Sequence, residues 1–141
     1  MKALATLIRL HNHQLDDKRR ALAEAERRLG NAKAQRAALD EEMVSEKATA
    51  AEGGEGAYTY GAYLQAAKRR REAIDAGIAV LQQQADAARD AVAEAFAELK
   101  KYEITKASRD RRAQEEANRV EQNLLDEMGL SMHRRNRDEG G

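Results

Sequence analysis

Cysteine, proline and tryptophan are absent from the 141 residues, and phenylalanine occurs once. Without cysteine the chain has no disulfide framework, no thiolate nucleophile and no thiolate-held zinc, which fits a reducing compartment. Without proline, nothing in it must break a helix. One phenylalanine and 35% charged residues leave too little large apolar material for the core of an ordinary globule. Charge of one predominant sign is also missing. With 25 basic and 25 acidic residues, no net field draws the whole molecule to nucleic acid or anionic lipid. Long apolar runs are lacking too. The opening Met1-Lys2-Ala3-Leu4-Ala5-Thr6-Leu7-Ile8 is ended by Arg9, His11 and His13 before a signal-peptide core forms, so a soluble, unprocessed, cytoplasmic chain is expected.

What is present is periodicity. Stepping four then three residues from Tyr60 reaches Leu64, Ala67, Arg71, Ile74, Ile78, Leu81, Ala85, Ala88, Val92, Ala95, Leu99 and Tyr102, with Arg71 the sole charged residue in the series. A stripe recurring every 3.5 residues follows one face of a slightly underwound helix and is buried against a second long helix. That second stripe lies upstream. The same stepping from Leu4 gives Ile8, His11, Leu15, Lys18, Leu22, Ala25, Leu29, Ala32, Arg36, Leu39 and Met43.

Between the stripes stands Gly53-Gly54-Glu55-Gly56, where three glycines in four residues make a continuous helix costly. The pattern predicts an all-α fold, an antiparallel two-helix coiled-coil hairpin whose second helix is the longer. Its expected limits are a first helix over about 2–50, a turn over about 51–58 and a second helix over about 58–128. Thr59 is placed to cap the second helix, and Tyr58, Tyr60 and Tyr63 to close over the end of the seam. Gly129 reads as a left-handed cap, leaving 129–141 as a flexible tail. Residues 1–128 then form one hairpin domain. Pairs of opposite sign four residues apart, Asp16 with Arg20 and Glu24 with Arg28, support the solvated faces.

About 70 residues against about 49 make the second helix roughly 30 Å the longer. With the bend near residue 54, Leu4 faces Ile104, and residues from Lys106 onward have no partner in the first helix. This projecting stretch carries Lys106, Arg109, Arg111, Arg112, Glu115, Glu116 and Arg119 beside Ala113, Val120, Leu124, Leu125 and Met128. An apolar stripe with no internal partner calls for an external one.

The residues that carry chemistry elsewhere do not assemble a site here. His11 and His13 diverge by about 200° on a helix and cannot grip one metal. The adjacent pairs Asp16-Asp17, Glu41-Glu42 and Glu115-Glu116 diverge by about 100° and make no acid/base couple. The glycine cluster lacks the Lys-Ser/Thr of a phosphate loop. Lys68-Arg69-Arg70-Arg71 spreads around the whole helix, with Glu72 and Asp75 to offset it and no interleaved aromatics, so nucleic-acid binding is not expected. Nor is any catalytic, cofactor or metal site. The protein reads as a non-enzymatic coiled coil that contacts other proteins.

The chain resembles the FliJ family of the flagellar type III export apparatus, and more distantly the stalk proteins of virulence secretion systems. The resemblance rests on Leu4-x-x-Leu7-Ile8-Arg9-Leu10, Leu15-Asp16-x-Lys18-Arg19, Tyr60-x-x-Tyr63-Leu64 and the stretch from Lys106 to Leu125-Asp126-Glu127-Met128 with its basic sequel. It implies a stalk or adaptor that enters the ring of an export ATPase of the FliI type and promotes its assembly. It also implies contact with the cytoplasmic domain of an FlhA-like export gate and with substrate chaperones, at the periphery of the inner membrane. Carried onto this chain, the gate-binding surface falls on Tyr63, Ala67, Arg70 and Ile74, and the ring-binding surface on Lys106, Arg109, Arg112, Val120 and Leu124. Two other readings fit a bare coiled coil: a generic scaffold or homodimer, and an RNA polymerase channel-binding coiled coil with Glu52 and Glu55 at an acidic tip. The latter family carries a globular domain that is missing here.

Overall fold

The computed structural model describes residues 2–140. It contains two helices, α1 (Lys2–Ala51) and α2 (Glu55–Glu139), antiparallel to each other, with α2 the longer. The chain falls into two compact units, His11–Ala97 and Met1–Leu10 with Glu98–Gly141.

In the His11–Ala97 unit the direction of the two helices is written in its ion pairs. Glu26 meets Arg89 at 3.4 Å, Arg36 meets Asp75 at 2.6 Å and Glu42 meets Arg70 at 3.3 Å, so residue numbers rise along one helix as they fall along the other. Each partner lies one or two turns beyond the α2 residue that a bend at 54 places directly opposite. Long guanidinium side chains supply that reach. Between the ion pairs lies a thin seam: Leu15, Leu29, Leu39, Ala67 and Ala85 are buried, the last wholly so at 0% exposure. Within this unit Lys18 is the one member of the two predicted stripes that is exposed. Its long side chain carries the charge out to water while its stem stays near the seam.

Arg36 sits half-buried in that seam with Asp75 across from it and Asp40 on its own helix. Asp75 therefore serves Arg36 across the seam rather than Arg71, four residues before it on its own helix. Hydrogen bonds donated by the Arg36 guanidinium to both carboxylates raise its pKa, the one to Asp75 foremost. Of the expected exposed pairs, Glu24 with Arg28 forms and Glu24 also holds Arg27, while Arg20 bonds Asp17 at 3.5 Å in place of Asp16. A spacing of three residues serves such contacts as well as a spacing of four.

The turn is tighter than predicted. Between the helices stand residues 52–54 alone, since two residues in the left-handed region reverse the chain: Gly53 at φ 86° and Gly54 at φ 82°. The final carbonyls of α1 are taken up by Glu52 N–H to Thr49 O and Gly53 N–H to Ala50 O, both 3.2 Å. Gly54 then begins α2 by accepting from Ala57 N–H at 3.2 Å, and Glu55 sets its negative charge at the positive end of the helix dipole. Thr59 is consequently inside α2, where its hydroxyl donates back to Gly56 O at 3.4 Å, and is not a cap. Gly56 is helical from the outset, so one of the three glycines is not used for the reversal.

Among the described residues of the other unit, Leu4 and Leu99 are buried. Ile104, expected opposite Leu4, is exposed, because the stripe passes through Tyr102 to Lys106 and leaves position 104 well around the helix. Lys106 is half-buried and paired with Asp110 at 2.7 Å, so complete exposure starts at Arg109 and continues to Gly140. Nor does α2 stop at Gly129. That glycine keeps helical dihedrals, its cost of about 1 kcal/mol relative to alanine is carried by the helix-forming residues around it, and the last turn closes with Gly140 N–H to Asn136 O at 2.9 Å.

Gly30 and Gly77 also lie inside helices, without positive φ, and no neighbouring atom lies within 4 Å of the point where a Cβ would stand. Gly30→Ala and Gly77→Ala are each expected to stabilise the chain by about 0.5–1 kcal/mol. Thermal unfolding of the two variants and their combination checks this. A fall in Tm would mean that the missing side chain serves a close contact.

Candidate protein-interaction surfaces

Two stretches of α2 hold the residues singled out from the sequence. The first lies near the start of the helix, in the His11–Ala97 unit. Heptad geometry places Tyr63, Arg70 and Gly77 along one flank of the seam, with Gln35 and Glu42 of α1 along the facing flank. Arg70 is exposed and reaches across to Glu42. Tyr63 is half-buried, its ring stacked on that of Tyr60 with centroids 6.3 Å apart and planes at 30°. Ala67 is 1% exposed and Ile74 half-buried, so these two form the floor beneath Tyr63 and Arg70 instead of standing beside them on the surface. Gln35, Ala38, Leu39, Glu42, Arg70 and Ile74 line a shallow groove there. Tyr58 is fully outside the seam, so the expected cluster of three tyrosines contracts to two.

The Tyr63 hydroxyl is shielded from solvent and has no partner at hydrogen-bonding geometry. Burial pushes its pKa above the ordinary tyrosine value of 10.0, and the nearby Glu42 and Glu46 carboxylates push it further the same way, against a smaller opposing effect of Arg70. Because the raised folded pKa reflects a phenolate disfavoured in the fold, stability holds below a pH of about 10 and is lost as pH rises from there through the folded value. Tyr63→Phe is therefore expected to leave stability at pH 7 unchanged or slightly higher, since it removes a buried hydroxyl without a partner. It is also expected to flatten the loss of stability above pH 10. Denaturant titrations of both proteins from pH 8 to 11 check this, and an identical alkaline slope would show that Tyr63 does not carry it.

The second stretch is the exposed end of α2. Lys106, Arg109 and Arg112 open it, followed by Glu115 and Glu116, with Arg119 bonding Glu116 at 2.5 Å. The Lys106 ammonium holds the Asp110 carboxyl below the usual carboxylate range. Beyond these charges Val120, Leu124, Met128 and Met132 follow at intervals of four, each more than half or about half exposed, with Leu125 and Leu130 alongside. Residues four apart form the inclined ridge that packs into the groove of another helix at a crossing angle of about −50°, unlike the 3.5-residue seam of the hairpin. Val120 and Leu124 are thus brought together with two methionines, while Lys106 is drawn into the chain's own contacts.

Leu130 and Met132 lie beyond Gly129, in the stretch that the sequence predicts as a tail, and sequence reasoning misses them as surface residues of a helix. The signal that finds Met132 is the four-residue row running straight across Gly129. Among the described residues, no group of three His, Asp or Glu side chains is arranged to hold a metal ion, and no helix is long and apolar enough to cross a membrane.

A family model described as Flagellar FliJ protein matches residues 1–138. Two relatives, each named Flagellar FliJ protein and coming from two strains of Caulobacter vibrioides, are 37% identical to this chain over 131 residues, which is 92% of this chain and 93% of theirs. No solved structure matches.

Proposed function

Because the chain belongs to the FliJ family of flagellar proteins, we propose that it serves flagellar protein export as a non-enzymatic stalk or adaptor between an export ATPase and the export gate. In this reading the exposed end of α2 docks into the ATPase ring and favours its assembly. The observation that carries it is the ridge Val120-Leu124-Met128-Met132, apolar and without cover from α1. Arg109 and Arg112 precede the ridge and steer it toward acidic groups, and Lys106 orders the helix through Asp110. The gate contact falls on the groove near the start of α2, with Arg70 and the edge of Tyr63 offered to the partner and Ala67 and Ile74 setting their height. Substrate chaperones are further partners, and the protein works on the cytoplasmic side of the inner membrane.

Charge argues for a heterologous partner over a second copy. In-register parallel pairing of two α2 ends sets Arg109, Arg111 and Arg112 against themselves, and antiparallel pairing centred on Leu124 sets Glu121 against Glu127 and Asp126. The test is co-purification with the export ATPase. Deleting residues 106–141 is expected to leave a helical hairpin by circular dichroism while abolishing capture of the ATPase. Unchanged capture by the truncated chain would refute the docking site.

A further inference from the structure

Sulfur occurs in this chain only as thioether, since cysteine is absent and methionine occurs four times. Met43 lies half-buried at the seam, in a groove it shares with Val44, Lys47, Tyr60 and Leu64. Met128 and Met132 differ from it sharply, at 58% and 61% exposed. They are one turn apart on α2 and stand above one another on the same face, in line with Val120 and Leu124.

We propose that Met128 and Met132 are a paired oxidation site through which hydroperoxides switch the α2 ridge from apolar to polar. In each step the thioether sulfur attacks the peroxide oxygen; the S–O bond forms as the O–O bond breaks. The sulfur gives up two electrons, and hydrogen peroxide leaves as water. The product is a sulfoxide, a polar and chiral group in the place of a flexible apolar one. Oxidation at both positions removes half of the four-residue ridge as an apolar surface. It leaves the hairpin seam intact, because neither side chain contributes to that seam. A thioether also suits a surface that must fit several partner geometries, since its three rotatable bonds let it fill irregular gaps. Leucine would supply the same area without the sensitivity.

This inference rests on the ridge being the docking surface for the export ATPase. The experiment treats the full-length chain with graded hydrogen peroxide and maps peptide masses. Both ridge methionines are expected to gain one oxygen atom well before Met43. Each sample is then used to capture the ATPase, and capture is expected to fall about tenfold or more with the doubly oxidised chain while helicity is retained. Whatever its own starting level of capture, the Met128→Leu/Met132→Leu variant is expected to show the same level after peroxide as before it, and a loss on peroxide as large as that of the unsubstituted chain would overturn the switch. Equal capture by the doubly oxidised chain would overturn the switch alone. Oxidation of Met43 at the same rate would overturn the selectivity of the site. Failure of the untreated chain to capture the ATPase would overturn the docking reading, and the switch with it.

Discussion

Replacing Val120 and Leu124 together by glutamate is expected to weaken capture of the export ATPase by about 100-fold or more, with no measurable loss of helicity or Tm. Both side chains are about half exposed and lie beyond the two buried stripes, so the free chain loses little when they become charged. In a complex the position is reversed. A helix ridge inserted in a partner's groove is desolvated, and two carboxylates brought there would be buried without counter-ions, at a cost of several kcal/mol. The neighbouring acids Glu121, Asp126 and Glu127 add like-charge repulsion. Calorimetry or pull-down with the purified ATPase measures the loss, and the same double variant serves as its own control for folding. Near-normal affinity would assign the docking energy to the basic residues before the ridge and not to the apolar surface.

The second large effect concerns the seam. Leu39 is 2% exposed and precedes Asp40 of the Arg36–Asp40–Asp75 cluster, so it is a buried apolar residue beside the chain's charged layer. Leu39→Ala is expected to cost about 2–3 kcal/mol, at the low end of the range for core leucines, because water can enter a two-helix seam and soften the cavity. The Tm should fall by several degrees. The gap also opens the half-buried Arg36 side chain to water, so the loss should be smaller in an Arg36→Met background, where no charge stands beside the gap. Additive losses would mean that the cluster and the leucine act independently.

How far the fold can be read from the sequence follows from what a heptad specifies. A 3.5-residue repeat fixes which face is buried, and the buried residues, Leu4, Leu15, Leu29, Leu39, Ala67, Ala85 and Leu99, all lie on the two stripes. Boundaries are set by weaker forces. Gly56 and Gly129 read as helix breakers because each costs about 1 kcal/mol in isolation. In the structure two left-handed glycines suffice for the reversal, and the surrounding residues carry α2 through Gly129. Details of register are not legible either. Whether Asp75 answers Arg71 or Arg36 depends on side-chain reach across the seam, which the spacing along one helix does not encode.

The candidate surfaces divide along the same line. Val120 and Leu124 are legible as apolar residues beyond the reach of α1, and they are exposed. Ala67 and Ile74 enter the candidate surface through family resemblance, although the heptad stripe already places both on the buried face, where the structure has them. Met132 is illegible because an assumed helix end separates it from the row to which it belongs.

Amide hydrogen exchange of the full chain, measured alone and with saturating export ATPase, tests the docking ridge most directly. Slowed exchange is predicted in peptides spanning residues 113–132, with the seam peptides of α1 unchanged on binding. Unchanged exchange across 113–132 in a complex that demonstrably forms would contradict it, because the ridge would then remain in water while the partner sat elsewhere.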